Sequence, residues 1–111
     1  MAIPVAGYIN LQEIDDVVDE VERTMPDVAW VRYKIGNDFY GDPAIFFRIV
    51  LTDEACKADV LYSSSQHVSE ALESRLLPYQ RWGVYPFFNF RSKSEQLEDE
   101  DPAWQPHAVS R

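Results

Sequence analysis

Ser63, His67 and Glu70 stand at i, i+4 and i+7, one ridge of a helix, so a Ser-His-Glu relay for acyl transfer can be drawn along it. Such a relay also needs a sharp turn presenting the serine and backbone donors for an oxyanion. A helix side supplies neither, and the three residues read as a solvated face. Cys56 and His67 are eleven residues apart, about 16 Å along a continuous helix, too far for a thiolate–imidazole dyad. Cys56 reads as a small, half-buried side chain. Zinc needs clustered nitrogen and sulfur ligands, which His67, His107 and one cysteine do not provide, and Asp38 and Asp42 lack the spacing of a calcium loop. There is no Gly-x-Gly-x-x-Gly and no Gly-Lys-Ser/Thr, and four glycines in all, so no phosphate cradle is expected. The sequence thus predicts no catalytic residues, no metal and no cofactor; an unrecognised enzyme is kept as a third reading.

The 111 residues carry a formal net charge of −9, unevenly placed. Residues 1–27 hold seven acids against Arg23 alone, residues 28–91 are balanced at seven against seven, and residues 92–111 hold five acids against Lys93 and Arg111. A field of that sign repels nucleic-acid phosphates and anionic lipid and attracts basic protein surfaces. No apolar run approaches the roughly 20 residues of a membrane span, and Met-Ala-Ile-Pro-Val-Ala-Gly at the start lacks the form of a secretory signal. With a single cysteine as well, a cytoplasmic location is expected.

The elements follow from periodicity. Asn10 and Glu13 resemble a capping box, and Leu11, Ile14, Val17 or Val18, Val21 and Met25 recur at helical spacing until Pro26. The outward positions of this helix are acidic. Residues 28–35 alternate, with Ala29, Val31, Tyr33 and Ile35 on one face; residues 36–43 are turn formers; residues 44–51 alternate again around Ile45, Phe47, Ile49 and Leu51. A second helix is predicted over 58–77, a connector over 79–83, and a last strand over 84–91 that Pro86 places at a sheet edge. From Ser92 the chain turns polar, then acidic.

The expected fold is α+β, a two-layer sandwich in the order helix-strand-strand-helix-strand. Its three-stranded mixed sheet has the first strand central, the last strand parallel to the second, and both helices on one face. Residues 1–94 form the domain and residues 95–111 a flexible acidic tail.

With both helices on one face, the other is left open, and it carries Trp30, Arg32, Lys34, Phe46, Arg48, Tyr85, Phe87, Asn89 and Arg91. Aromatic and basic residues interleave there, as on sheets that stack bases and hold phosphates. The same surface would serve as an interface with a partner or a second copy, or be covered by the N-terminal arm (Ile3 to Ile9) or by the tail carrying Trp104. The tail folding back on Arg32, Arg48 and Arg91 would compete with a partner.

Residues 36–51 (Gly-Asn-Asp-Phe-Tyr-Gly-Asp-Pro-Ala-Ile-Phe-Phe-Arg-Ile-Val-Leu) and 85–95 (Tyr-Pro-Phe-Phe-Asn-Phe-Arg-Ser-Lys-Ser-Glu) resemble a family of small bacterial proteins. The resemblance spans most of residues 28–104. Members tend to be encoded beside HEPN-domain proteins, a class that includes ribonuclease toxins. It implies a toxin–antitoxin-like setting with a HEPN-type protein as partner, and it carries no catalytic residues across.

The leading expectation is therefore a non-enzymatic acidic interaction module. It would bind a basic protein through Asp15, Asp16, Asp19, Glu20 and Glu22 of the first helix, with the open sheet face as a partner or homodimer interface. The alternative is a small RNA-binding module built on that sheet face, led by Trp30, Arg32, Arg48, Phe87 and Arg91.

Overall fold

In the computed structural model, which describes residues 9–106, the first helix begins where Asn10 caps it: the side-chain oxygen accepts the Glu13 amide at 3.0 Å. This helix, α1 (Leu11–Thr24), buries Ile14, Val18 and Val21, one stripe at i, i+4 and i+7, and stops before Pro26. Leu11, counted with the stripe in the sequence, faces outward. Glu13 does not reach back to close a capping box. Its carboxylate takes both guanidinium arms of Arg81 instead, and that hydrogen-bonded pairing holds the Glu13 carboxyl below its usual range. Asn10→Ala is expected to cost about 1 kcal/mol, read as a lower urea midpoint at constant slope. An unchanged midpoint would mean that the Arg81 fork alone secures the first turn.

β1 (Val28–Asn37) and β2 (Pro43–Leu51) form an antiparallel hairpin, and β3 (Tyr85–Ser92) joins β2 in parallel. The sheet order is β1-β2-β3, so the second strand is central, which corrects the expectation that the first would be. Composition gives the reason. Ala44, Ile45, Phe47, Ile49, Val50 and Leu51 are all fully buried, the near-continuous apolar run of a strand bonded on both sides. β1, with Arg32 and Lys34, and β3, with Pro86, suit edges.

Ala29 is an extra residue in β1: Val28 pairs with Leu51 and Trp30 with Val50, so a bulge separates them. The bulge lets Val28 turn into the core in place of the predicted Ala29. Beyond it the alternation holds, and Val31, Tyr33 and Ile35 pack inward. At the hairpin tip, Asp38 Oδ1 accepts the amides of Tyr40 and Asp42 at 2.9 Å each, and Gly41 takes a φ of 87°. That carboxylate is an internal turn cap.

A 3-10 turn (Glu54–Cys56) leads to α2 (Leu61–Leu76), which buries Ser64, Val68, Leu72 and Leu76. The predicted helix over 58–77 thus starts later. It ends at Leu77, left-handed at φ 46°, because Pro78 disfavours a helical residue before it and then opens α3 (Pro78–Trp82). Trp82 and Val84 close the core, which α1 and α2 share over one face of the sheet. The two-layer α+β sandwich and its three-stranded mixed sheet are as expected.

Past β3 the structure corrects the sequence reading of an acidic tail from residue 95. Lys93–Asp99 form a helix, α4, started by a reciprocal capping box between Ser92 and Glu95, and a 3-10 turn follows over Pro102–Trp104. Asp53, in the turn after β2, accepts both the amide and the hydroxyl of Ser94, which lowers the Asp53 carboxyl and pins the start of α4. Ordered secondary structure therefore runs to Trp104, and residues 107–111 of the expected tail lie outside the described residues.

Candidate functional site

The strand register sorts the outer sheet face into four rows across β1, β2 and β3. From the hairpin end these are Gly36–Ala44–Tyr85, Lys34–Phe46–Phe87, Arg32–Arg48–Asn89 and Trp30–Val50–Arg91. All eight site residues expected on this face fall on it, but they do not form one open surface. The chain's own C-terminal segment divides them.

The last row is covered. Trp104 lies under the Arg91 guanidinium, 4.8 Å from ring centroid to Cζ, while its carbonyl accepts the Trp30 indole N–H. Arg91 also donates to Gln96 at 3.0 Å and Asp99 at 2.9 Å. Gln96 is 1% exposed, and its amide donates onward to the Asp101 carbonyl. Arg32, one row up, spends a guanidinium arm on the Gln105 carbonyl at 2.7 Å. Of the two covers considered for this face, the segment carrying Trp104 is the one seen. The N-terminal arm from Ile3 lies outside the described residues, apart from Ile9.

Toward the hairpin end, Lys34, Tyr85, Phe87 and Asn89 are exposed and Phe46 and Arg48 half-buried, while Ala44 between them is buried. Phe46 and Phe87 stack at 5.4 Å with 17° between their planes, and Phe87 is 39% exposed. Tyr85 packs on Tyr79 at 4.8 Å, and the hydrogen bond between them raises the Tyr85 phenol. Beyond them, at the hairpin tip, Phe39 is 94% and Tyr40 84% exposed, edge to face with each other. Sequence reasoning missed Phe39, Tyr40 and Tyr79 as surface residues. The available signal was two adjacent large aromatics in a loop of turn formers, where no turn geometry requires them.

The acidic helix keeps less free charge than its sequence promised. Asp15 accepts the Tyr33 hydroxyl at 2.7 Å, and burial, aided by that bond, pushes the phenol far up. Glu20 pairs with Arg75 of α2 at 3.0 Å, and Glu22 accepts the Val31 amide at 2.7 Å, blocking part of the β1 edge. Asp15, Asp16 and Asp19 are the acids of the five that are exposed and make no ion pair among the described residues, and Asp16 accepts a hydrogen bond from Gln12 at 2.9 Å.

Ser63, His67 and Glu70 are exposed on α2, and Glu70 takes its hydrogen bond from Gln66 at 3.4 Å. Nothing there orients a relay. Burial pushes the Cys56 thiol up, assisted by the nearby Glu95 and Asp53 charges, away from a thiolate nucleophile. Among the described residues no three His, Cys, Asp or Glu cluster as a metal site, and no helix is long and apolar enough to cross a membrane. Comparison of the chain with protein-family models, with curated proteins and with solved structures finds no match in any of the three.

Proposed function

We propose that the protein is a non-catalytic interaction module that docks a protein partner on the hairpin end of its outer sheet face. One observation carries this reading. Phe39, Tyr40, Tyr85 and Phe87, all among the exposed large hydrophobics, gather at one end of a sheet whose other end is sealed by Trp104. Exposed large aromatics gathered in one region cost solubility and are kept where something else covers them. The net charge of −9 gives a partner with a basic flank a faster approach, with Asp16 and Asp19 exposed on the opposite layer. A HEPN-domain protein is the partner that the family resemblance would supply, in an antitoxin-like or other regulatory role.

RNA binding is the second reading, favoured by Lys34 and Arg48 beside the stacked phenylalanines. Two features weigh against it. The Phe46–Phe87 stack already occupies one face of each ring, and the cationic rows lie between Asp38 and Asp42 at the hairpin and Asp99 beside Arg91, so a phosphate chain leaving them meets acid.

A photo-crosslinking residue at position 87, with position 66 on α2 as control, tests the reading inside the protein's own cells. The expected product is a discrete adduct with another protein from position 87 and none from position 66. Adducts with RNA, with a second copy of the chain, or with nothing at position 87 would each overturn it.

A further inference from the structure

Arg32 and Arg48 stand directly opposite each other on β1 and β2, on the same face, with Asn89 next in the row. Like charges at directly opposed positions destabilise a sheet, so the pair needs a counter-charge or a reason to lack one. Arg32 has the Gln105 carbonyl. Arg48 is half-buried in the central strand and makes no hydrogen bond or ion pair among the described residues, and Lys34 on the neighbouring row makes none either. The Arg48 donors all reach solvent, since no buried side-chain nitrogen is left unsatisfied.

Resting on the docking surface proposed above, we infer that the Arg48 guanidinium, flanked by Arg32 and Lys34, is the seat for a single carboxylate of the protein partner. A planar guanidinium takes a carboxylate by two parallel hydrogen bonds, and half-burial strengthens them relative to an exposed pair. The cationic ground is two rows deep and bounded by acid at both ends, which suits one anionic group and not a chain of them. The row beside it, toward the hairpin, is the Phe46–Phe87 stack. Adjacent rows on one face lie about 6.5 Å apart along a strand. The recognised element is therefore an acidic side chain with a large apolar side chain at that distance, the i, i+2 spacing of an extended segment. The acid supplies register and the apolar group supplies buried area.

Panning a random dodecapeptide display library on the whole protein tests this without knowledge of the partner. Enriched peptides are expected to carry Asp or Glu two residues from a large apolar residue. A synthetic copy of one should lose about tenfold or more in affinity on Arg48→Gln, and changing its acid to the amide should cost as much on the parent protein but little more on Arg48→Gln. Circular dichroism checks that Arg48→Gln is folded, and Phe87→Ala marks the surface independently. Peptides that need Phe87 but are indifferent to Arg48, or that lack an acid, would reject the carboxylate seat and leave the docking surface standing. Failure to enrich any peptide, or enrichment insensitive to Phe87, would reject both. Oligouridine binding lost in Arg48→Gln would assign the same guanidinium to RNA.

Discussion

Phe47→Ala is expected to remove about 3–5 kcal/mol of unfolding free energy and to lower the melting midpoint by roughly 15 °C or more. Phe47 is fully buried at the centre of the middle strand. Its ring stacks on Phe88 of β3 at 5.4 Å with 7° between planes and tilts against Tyr33 of β1 at 6.4 Å. One side chain therefore ties all three strands together on the helix-facing side. Its loss leaves a void walled by residues of a hydrogen-bonded sheet, which cannot collapse to fill it. Domains of this size hold some 5–15 kcal/mol in total, so the variant is left close to its unfolding threshold. Phe46→Ala, one residue away on the outer face, is the control. Phe46 is half-exposed and keeps the aromatic contact with Phe87 alone, so its loss is expected to cost about 1 kcal/mol. Chemical denaturation of the two variants side by side decides the matter: equal losses would mean that the strand does not alternate between core and surface as described.

That alternation was legible in the sequence because it is local. The period of two in 28–35 and 44–51 assigned Phe47 inward and Phe46, Arg48 outward without knowledge of neighbours. The stripe and cap of α1 were legible for the same reason. The central strand was not, because choosing between β1 and β2 as partner for β3 depends on contacts more than thirty residues apart. The sign that could have decided it was the greater apolar density of 44–51.

α4 was missed for a different reason. Its single buried residue is Gln96, so a search for apolar periodicity passes over it, and the acids that crowd 95–101 suggest a solvated tail. Yet Ser92-Lys93-Ser94-Glu95 is a capping-box sequence, and it forms one. The candidate surface divides in the same way. Parity placed every outer-face residue correctly, whereas which rows are covered depends on a polar helix docking through Gln96 and one tryptophan, a contact with no periodic signature.

Trp104→Ala is expected to release that segment without unfolding the domain. Beyond the Asp53 contacts that pin its start, the strap is held by a few side-chain contacts: the Trp104 ring under Arg91, its carbonyl on Trp30, Gln105 on Arg32, and Gln96 and Asp99 on Arg91. None of its residues belongs to the apolar core, and segments of that kind open at free energies well below that of global unfolding. Removing the indole deletes the cation–π contact with Arg91 and the apolar area that the ring buries, a loss of about 2 kcal/mol concentrated locally. Hydrogen exchange of the α4 amides should accelerate while that of the β2 amides stays unchanged, and Trp30 emission should shift red as water reaches its ring. Freed from the strap, Trp30 and Arg91 would extend the docking surface by a further row. A peptide selected on the parent protein should then bind as tightly or more tightly, because the strap no longer competes for Arg32. A fall in β2 protection comparable to that of Phe47→Ala would show the opposite arrangement, in which the C-terminal segment is part of the cooperative core and the sheet has no cover to shed.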